Sequence, residues 1–218
     1  MRYLCSLALC AAAAVLVPRA AFTQVCLAQP SLIAGKATVL VNGTFADGSD
    51  SFTGTARFAG SQLFGDVSAG VSSYDEFDGS SFLLGGALGG QIAPTAGSSL
   101  RLCPIANVQF GFGPNDIGGS GVDMSQQAFG AGVGIGGIAM RSQSFQLIPA
   151  GGVQLAWARA KLKGEGVSIS DSETYGIISG GLGFALPNTL TITPSLSIPV
   201  GLENGDTSFG LTFGFRFR

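Results

Sequence analysis

The stretch Ser208-Phe209-Gly210-Leu211-Thr212-Phe213-Gly214-Phe215-Arg216-Phe217 alternates from end to end. Phe209, Leu211, Phe213, Phe215 and Phe217 point one way, and Ser208, Gly210, Thr212, Gly214 and Arg216 the other. A two-residue period is the mark of a strand with two unlike faces. The period recurs upstream. Over 189–200, Leu190, Ile192, Leu196, Ile198 and Val200 oppose Thr189, Thr191, Thr193, Ser195 and Ser197. Over 100–112 the apolar set is Leu100, Leu102, Ala106, Val108, Phe110 and Phe112, and over 127–139 Phe129, Ala131, Val133 and Ile135 alternate with glycines.

Composition says what such strands can build. Of the 218 residues, 46% are hydrophobic and 11% charged, well below the usual quarter of charged residues in soluble domains. Mean hydropathy is +0.43, yet past residue 25 no apolar run reaches the roughly 18 residues that a spanning helix needs. The 35 glycines are spread through the apolar segments, where they disfavour helix. An apolar chain without spanning helices has one other membrane solution, a closed barrel in which every backbone group is paired. Strands of about ten residues fit it. A soluble sandwich would show shorter strands and turn its apolar face inward. Gly, Ser, Thr and Ala suit a narrow lumen, and Phe and Leu suit lipid. Segments at 37–46, 52–59, 62–73, 80–93, 98–112, 126–140, 144–160, 172–186, 188–200 and 207–217 predict an all-β, transmembrane, antiparallel up-and-down barrel of about ten strands. Eight is the alternative if the first two form one bent strand or an internal plug.

The N-terminus predicts export. Arg2, the apolar run from Leu4 to Val17 and the break at Pro18-Arg19 read as a signal peptide over 1–25, followed by a periplasmic N-terminal segment at 26–36 and the barrel at 37–218. Cleavage after Ala21 or Thr23 keeps Cys26, and cleavage after Ala28 removes it. Cys5 and Cys10 leave with the signal, so Cys26 and Cys103 are the candidate disulfide in an oxidising compartment.

The connections sort into two sets. Those near 60–61, 94–97, 141–143 and 187–188 are short, whereas the alternate set holds the longest, 113–125 and 161–171, with 47–50, 75–79 and 203–206. Of the 13 Asp and Glu, all but Asp66 fall in or beside the second set. Tight turns in the periplasm and acidic loops outside are therefore expected. Pro104, Pro149 and Pro194 fall inside strands, where each removes a ladder donor, and a ring of kinks or bulges is expected there.

The expected lumen holds Arg57, Asp66, Arg101, Asn107, Gln109 and Arg216, with Asn42, Gln91 and Gln154. Buried charges must pair, so Asp66 is expected to bridge Arg57 or Arg101; a selectivity constriction is the functional alternative. Trp157, Tyr74, Tyr175 and Phe112 read as membrane-interface aromatics. The chain has no histidine, which removes the usual base of hydrolytic sites and any His-based metal site. Asp75, Glu76 and Asp78 could offer oxygens to a hard cation, although a solvated acidic surface is the simpler reading. No cofactor and no metal are expected. The net charge of −2 and a pI near 4.9 argue against nucleic acid.

These features resemble the small outer-membrane β-barrel proteins of Gram-negative bacteria, the opacity and OmpA-type group in the broad sense. The resemblance implies an outer-membrane location, and contact with outer-membrane lipid and lipopolysaccharide. It also implies a C-terminal assembly signal, Phe213, Phe215 and Phe217, read by the barrel assembly machinery, here followed by Arg218. A monomer is the expected state. Because the fold hosts many activities, the expected role is structural or surface-interacting and non-enzymatic. The alternative is a narrow small-solute channel or a lumenal small-molecule binder.

Overall fold

A computed structural model of the chain describes residues 26, 28–29, 37–59, 62–75, 79–94, 99–114, 122–164, 167–187, 189–202 and 205–217. The signal expected at 1–25 and most of 26–36 lie outside these residues. The described residues form β1 (Ala37–Ala46), β2 (Ser49–Ala59), β3 (Leu63–Tyr74), β4 (Ser80–Gly90), β5 (Leu100–Phe112) and β6 (Asp123–Gly137). After the two-residue β7 (Met140–Arg141) come β8 (Gln146–Gly164), β9 (Val167–Ala185), β10 (Leu190–Val200) and β11 (Ser208–Arg216).

Apart from β6 and β7, consecutive strands pair antiparallel. β1 also pairs with β11, and β6 pairs with β8 past the short β7. The ring is therefore closed, with ten spanning strands and no free edge, as a backbone in hydrocarbon requires. The two earliest segments are separate strands, which selects ten over eight.

Alternation decides which face is which. Val39, Val41, Phe52, Phe58, Val67, Leu88, Leu155, Phe209 and Phe215 are exposed on the outside, whereas Thr38, Leu40, Thr55, Ser72, Ser81, Thr193 and Ser208 are buried on the inside. An apolar exterior around a small-residue interior is the inverse of a water-soluble core, and fits a barrel whose solvent is lipid. No helix among the described residues is long and apolar enough to cross a membrane.

Three local expectations change. The segment 161–171 is not an open loop. β8 and β9 run 19 residues each and stay in register from Gln146↔Ala185 to Gly164↔Val167. The hairpin continues past the apolar band, and beyond it both faces are polar enough to read as loop. The connection at 47–50 shrinks to Asp47-Gly48, because Ser49 and Asp50 already pair with Ala46 and Phe45. Gly48 takes φ 75, the left-handed geometry that a two-residue hairpin turn needs.

The expected ring of kinks or bulges is also corrected. Pro104 pairs with Val133, Pro149 with Leu182 and Pro194 with Leu211, each in unbroken register on that side. The other side has a gap. β9–β10 pairing skips from Ile192↔Phe184 to Ser195↔Gly181, and β4–β5 pairing stops at Gly89↔Ile105 before resuming at Ile92↔Leu102. Both resume in the same register. Only beside Pro149 does it step by one, from Gly136↔Ala150 to Met140↔Leu147. In an antiparallel ladder a residue's N–H and C=O address one neighbour, so a proline opens the pairing on one side only.

Candidate functional site

The barrel has a tight-turn end, where β1 begins and β11 finishes, and a loop end. Arg57 and Asp66 face the lumen toward the tight-turn end. They are direct register partners on β2 and β3, with Arg57 Nη2 2.7 Å from Asp66 Oδ2 and both residues buried. A guanidinium 1% exposed is retained there because its carboxylate partner stands opposite.

The other expected lumenal residues are dispersed. Asn107 accepts from Gln154 Nε2 at 3.1 Å. Thr212 donates to Asn42 Oδ1 at 2.8 Å, and Asn42 Nδ2 donates to Thr44. Gln109 lines the central cavity. Arg216 is half-buried beyond Gly214 on β11, and Arg101 donates to the Leu100 carbonyl at 2.8 Å.

Cys26 and Cys103 are joined by a disulfide with a Cα–Cα distance of 6.1 Å. Both are fully buried beside Phe64 and Ala59, so the bond holds the segment inside the lumen. Ala28 and Gln29 extend the filling across the barrel: Gln29 Nε2 donates to Thr193 Oγ1 at 2.9 Å, and Thr193 Oγ1 donates to the Ala28 carbonyl at 3.2 Å. A floor of glycines makes the room. A Cβ built on Gly183 would stand 1.7 Å from the Ala28 oxygen, and one on Gly134 3.2 Å from the Cys26 oxygen. Sequence reading found the cysteines but not this floor. Its only signal was glycine at alternate positions on β6 and β9, which fits any narrow lumen.

The loop end is filled differently. Tyr74 and Tyr175, expected at the membrane interface, are buried inside. They share the inward parity of Ser72 and Ile177, and Tyr175 packs on Ala128, Ala156 and Ala158, whose small side chains leave volume to fill. Leu202 packs against the same cluster. Tyr74 donates to Ser81 Oγ at 2.9 Å, Ser81 donates to the Gly113 carbonyl, and Gln126 Nε2 donates to the Tyr74 hydroxyl at 3.3 Å. Trp157 and Phe112 do face outward, and Trp157 packs on Phe129 with ring centroids 5.6 Å apart.

Between the two fillings lies a cavity of about 90 Å³. Thr55, Ser68, Ser195, Ser197, Gln109 and Thr212 contribute its polar lining, with Leu40 and Leu83. It has room for a few waters or one small polar molecule. Of the acidic trio, Asp75 is exposed and Glu76 and Asp78 lie outside the described residues. Among the described residues no group of three or more His, Cys, Asp or Glu is placed to hold a metal.

Closed pairing, an apolar exterior and a filled polar interior define a small transmembrane antiparallel β-barrel. Several solved structures are similar to the chain at low identity. The translocator domain of autotransporter NalP from Neisseria meningitidis is 11% identical, with 84% of this chain and 87% of that one covered and a TM-score of 0.48. Ail, the attachment invasion locus protein of Yersinia pestis, is 13% identical over 84% and 99%, with a TM-score of 0.42. The N-terminal barrel domain of Pseudomonas aeruginosa OprF is 14% identical over 84% and 98%, with a TM-score of 0.39. No protein-family model and no curated protein sequence matches the chain.

Proposed function

We propose that the protein is a closed, non-enzymatic barrel of a bacterial outer membrane, exported by its N-terminal signal, with a structural or surface-interacting role. The observation that carries this reading is the packing of residues into the lumen toward both ends. Cys26, Ala28 and Gln29 fill the tight-turn end, and Tyr175, Leu202 and the Tyr74 network fill the loop end. The tight-turn end faces the periplasm, where an oxidising environment keeps the disulfide. The loop end faces outside, with β8–β9 as its longest projection. The outward column Phe209, Phe213, Phe215 and Phe217 supports recognition by the barrel assembly machinery.

The central cavity favours one second reading, a lumenal binder of a small polar solute. Planar-bilayer recording separates a sealed barrel from a channel. The oxidised wild type is expected to give no stable conducting steps. Stepwise conductance by the oxidised protein would overturn the closed-barrel reading.

A further inference from the structure

On the outward face of β8, the residues that follow Trp157 at alternate positions are Arg159, Lys161 and Lys163, all exposed. The other described cations, Arg57, Arg101, Arg141 and Arg216, lie toward the tight-turn end. Three cations thus stand together at the end otherwise marked by carboxylates. Asp171 and Glu173 of the same hairpin have the opposite parity, that of buried Tyr175 and Ile177, and so lie on its other face. On the cations' own face, Asp123 stands opposite Lys163. The remaining partners are neutral. Arg159 lies in one row with Gln127 and Ser172, and Lys161 with Ser125 and Ser170. Arg159 Nη2 donates to Ser170 Oγ at 3.2 Å.

The rows on the membrane side are apolar on β5, β6 and β8. Trp157 pairs with Phe129, which pairs with Val108, and Phe110 stacks edge-on to Phe129 with centroids 6.3 Å apart. A groove of about 350 Å³ opens along the boundary, lined by Phe110, Phe112, Ser125, Gln127, Arg159 and Lys161. Its chemistry is divided. Aromatic rings on one side match acyl chains, and ammonium, guanidinium, hydroxyl and amide donors on the other match the oxygens of a phosphate. A solvated basic strand would have no use for the aromatic half, and a simple lipid girdle none for three cations.

We propose that this outward face of β5, β6 and β8 binds a phosphate-bearing glycolipid of the outer leaflet. Its acyl chains lie along Phe110, Phe129 and Trp157, and its phosphate lies between Arg159 and Lys161, with Lys163 beyond. The site rests on the outer-membrane reading, which orients the loop end outward. Its test does not depend on conductance, so either idea can fail alone.

The chain's single tryptophan, Trp157, lies in the site and supplies the signal. The full mature barrel, refolded in zwitterionic micelles, is titrated with bisphosphorylated lipid A while Trp157 fluorescence is followed. A saturable change is expected, and the variant Arg159→Gln/Lys161→Gln/Lys163→Gln should bind at least about tenfold more weakly, since each charge-assisted contact carries much of such a factor. Lys161→Arg should bind as the wild type does, which separates lost charge from disturbed folding. Lipid A stripped of both phosphates should bind about as weakly as the triple variant. Equal binding by wild type and triple variant, or equal binding of the phosphate-free lipid, would overturn the site. Equally tight binding of a soluble polyanion such as dextran sulfate would overturn the lipid assignment.

Discussion

At the tight-turn end the lumen is held by a covalent bond, an ion pair and a chain segment lying on glycine. At the loop end it is held by hydroxyl, amide and aromatic contacts between strands that are already neighbours or nearly so. The disulfide spans a sequence separation of 77, and Gln29 reaches Thr193 across 164 residues. The Tyr74 network instead joins residues on β3, β4 and β6. The first filling therefore ties Cys26, Ala28 and Gln29 to distant strands, while the second stitches adjacent wall. Perturbing the tight-turn end should therefore cost more stability.

The largest effect is expected at the ion pair. Arg57→Leu strands the buried Asp66 carboxylate and should destabilise the barrel by about 3–5 kcal/mol, whereas Arg57→Met/Asp66→Leu should recover most of that loss. Reversible urea unfolding in lipid vesicles measures both. A double variant as unstable as the single would show that the charges contribute more than mutual neutralisation.

A smaller loss is expected at the floor. Gly183→Ala drives a methyl group into the Ala28 carbonyl, which should displace the segment at a cost of about 1–3 kcal/mol. The barrel should stay sealed, because the loop-end filling is untouched. Stepwise conductance in this variant would place the barrier at the tight-turn end alone.

The smallest effect belongs to the loop end. Tyr74→Phe removes a hydroxyl that donates to Ser81 and accepts from Gln126. The expected cost is about 1 kcal/mol, with no conductance gained. A loss as large as that of Arg57→Leu would erase the contrast between the two ends.

Much of the architecture is legible in residues such as Phe209 to Phe217, because the strand period is local: each residue's face follows from its parity once one face is known to meet lipid. Parity also put Arg57, Asp66 and Cys103 inside. It did not say which partner Asp66 takes, because Arg57 and Arg101 have the same inward parity. The register of β2 on β3 sets Arg57 directly opposite, while Arg101 lies on β5. Tyr74 and Tyr175 were misread because an aromatic near a strand end suits either an interface or a lumen. The alanines on β6 and β8 that leave room for Tyr175 are far from it in sequence or on another strand. The hairpin at 161–171 was misread because polar residues on both faces hide a strand that continues into water.

The sequence by itself determined the barrel, its outward apolar face, its approximate strand number and the sorting of carboxylates to one end. These depend on period, length and composition, which a linear chain displays. The tertiary structure decided how the lumen is closed, which charges meet, and that Arg159, Lys161 and Lys163 stand beside Phe110 and Phe112. Each of these is a juxtaposition across strands, set by register and ring closure, and neither is written in any one segment.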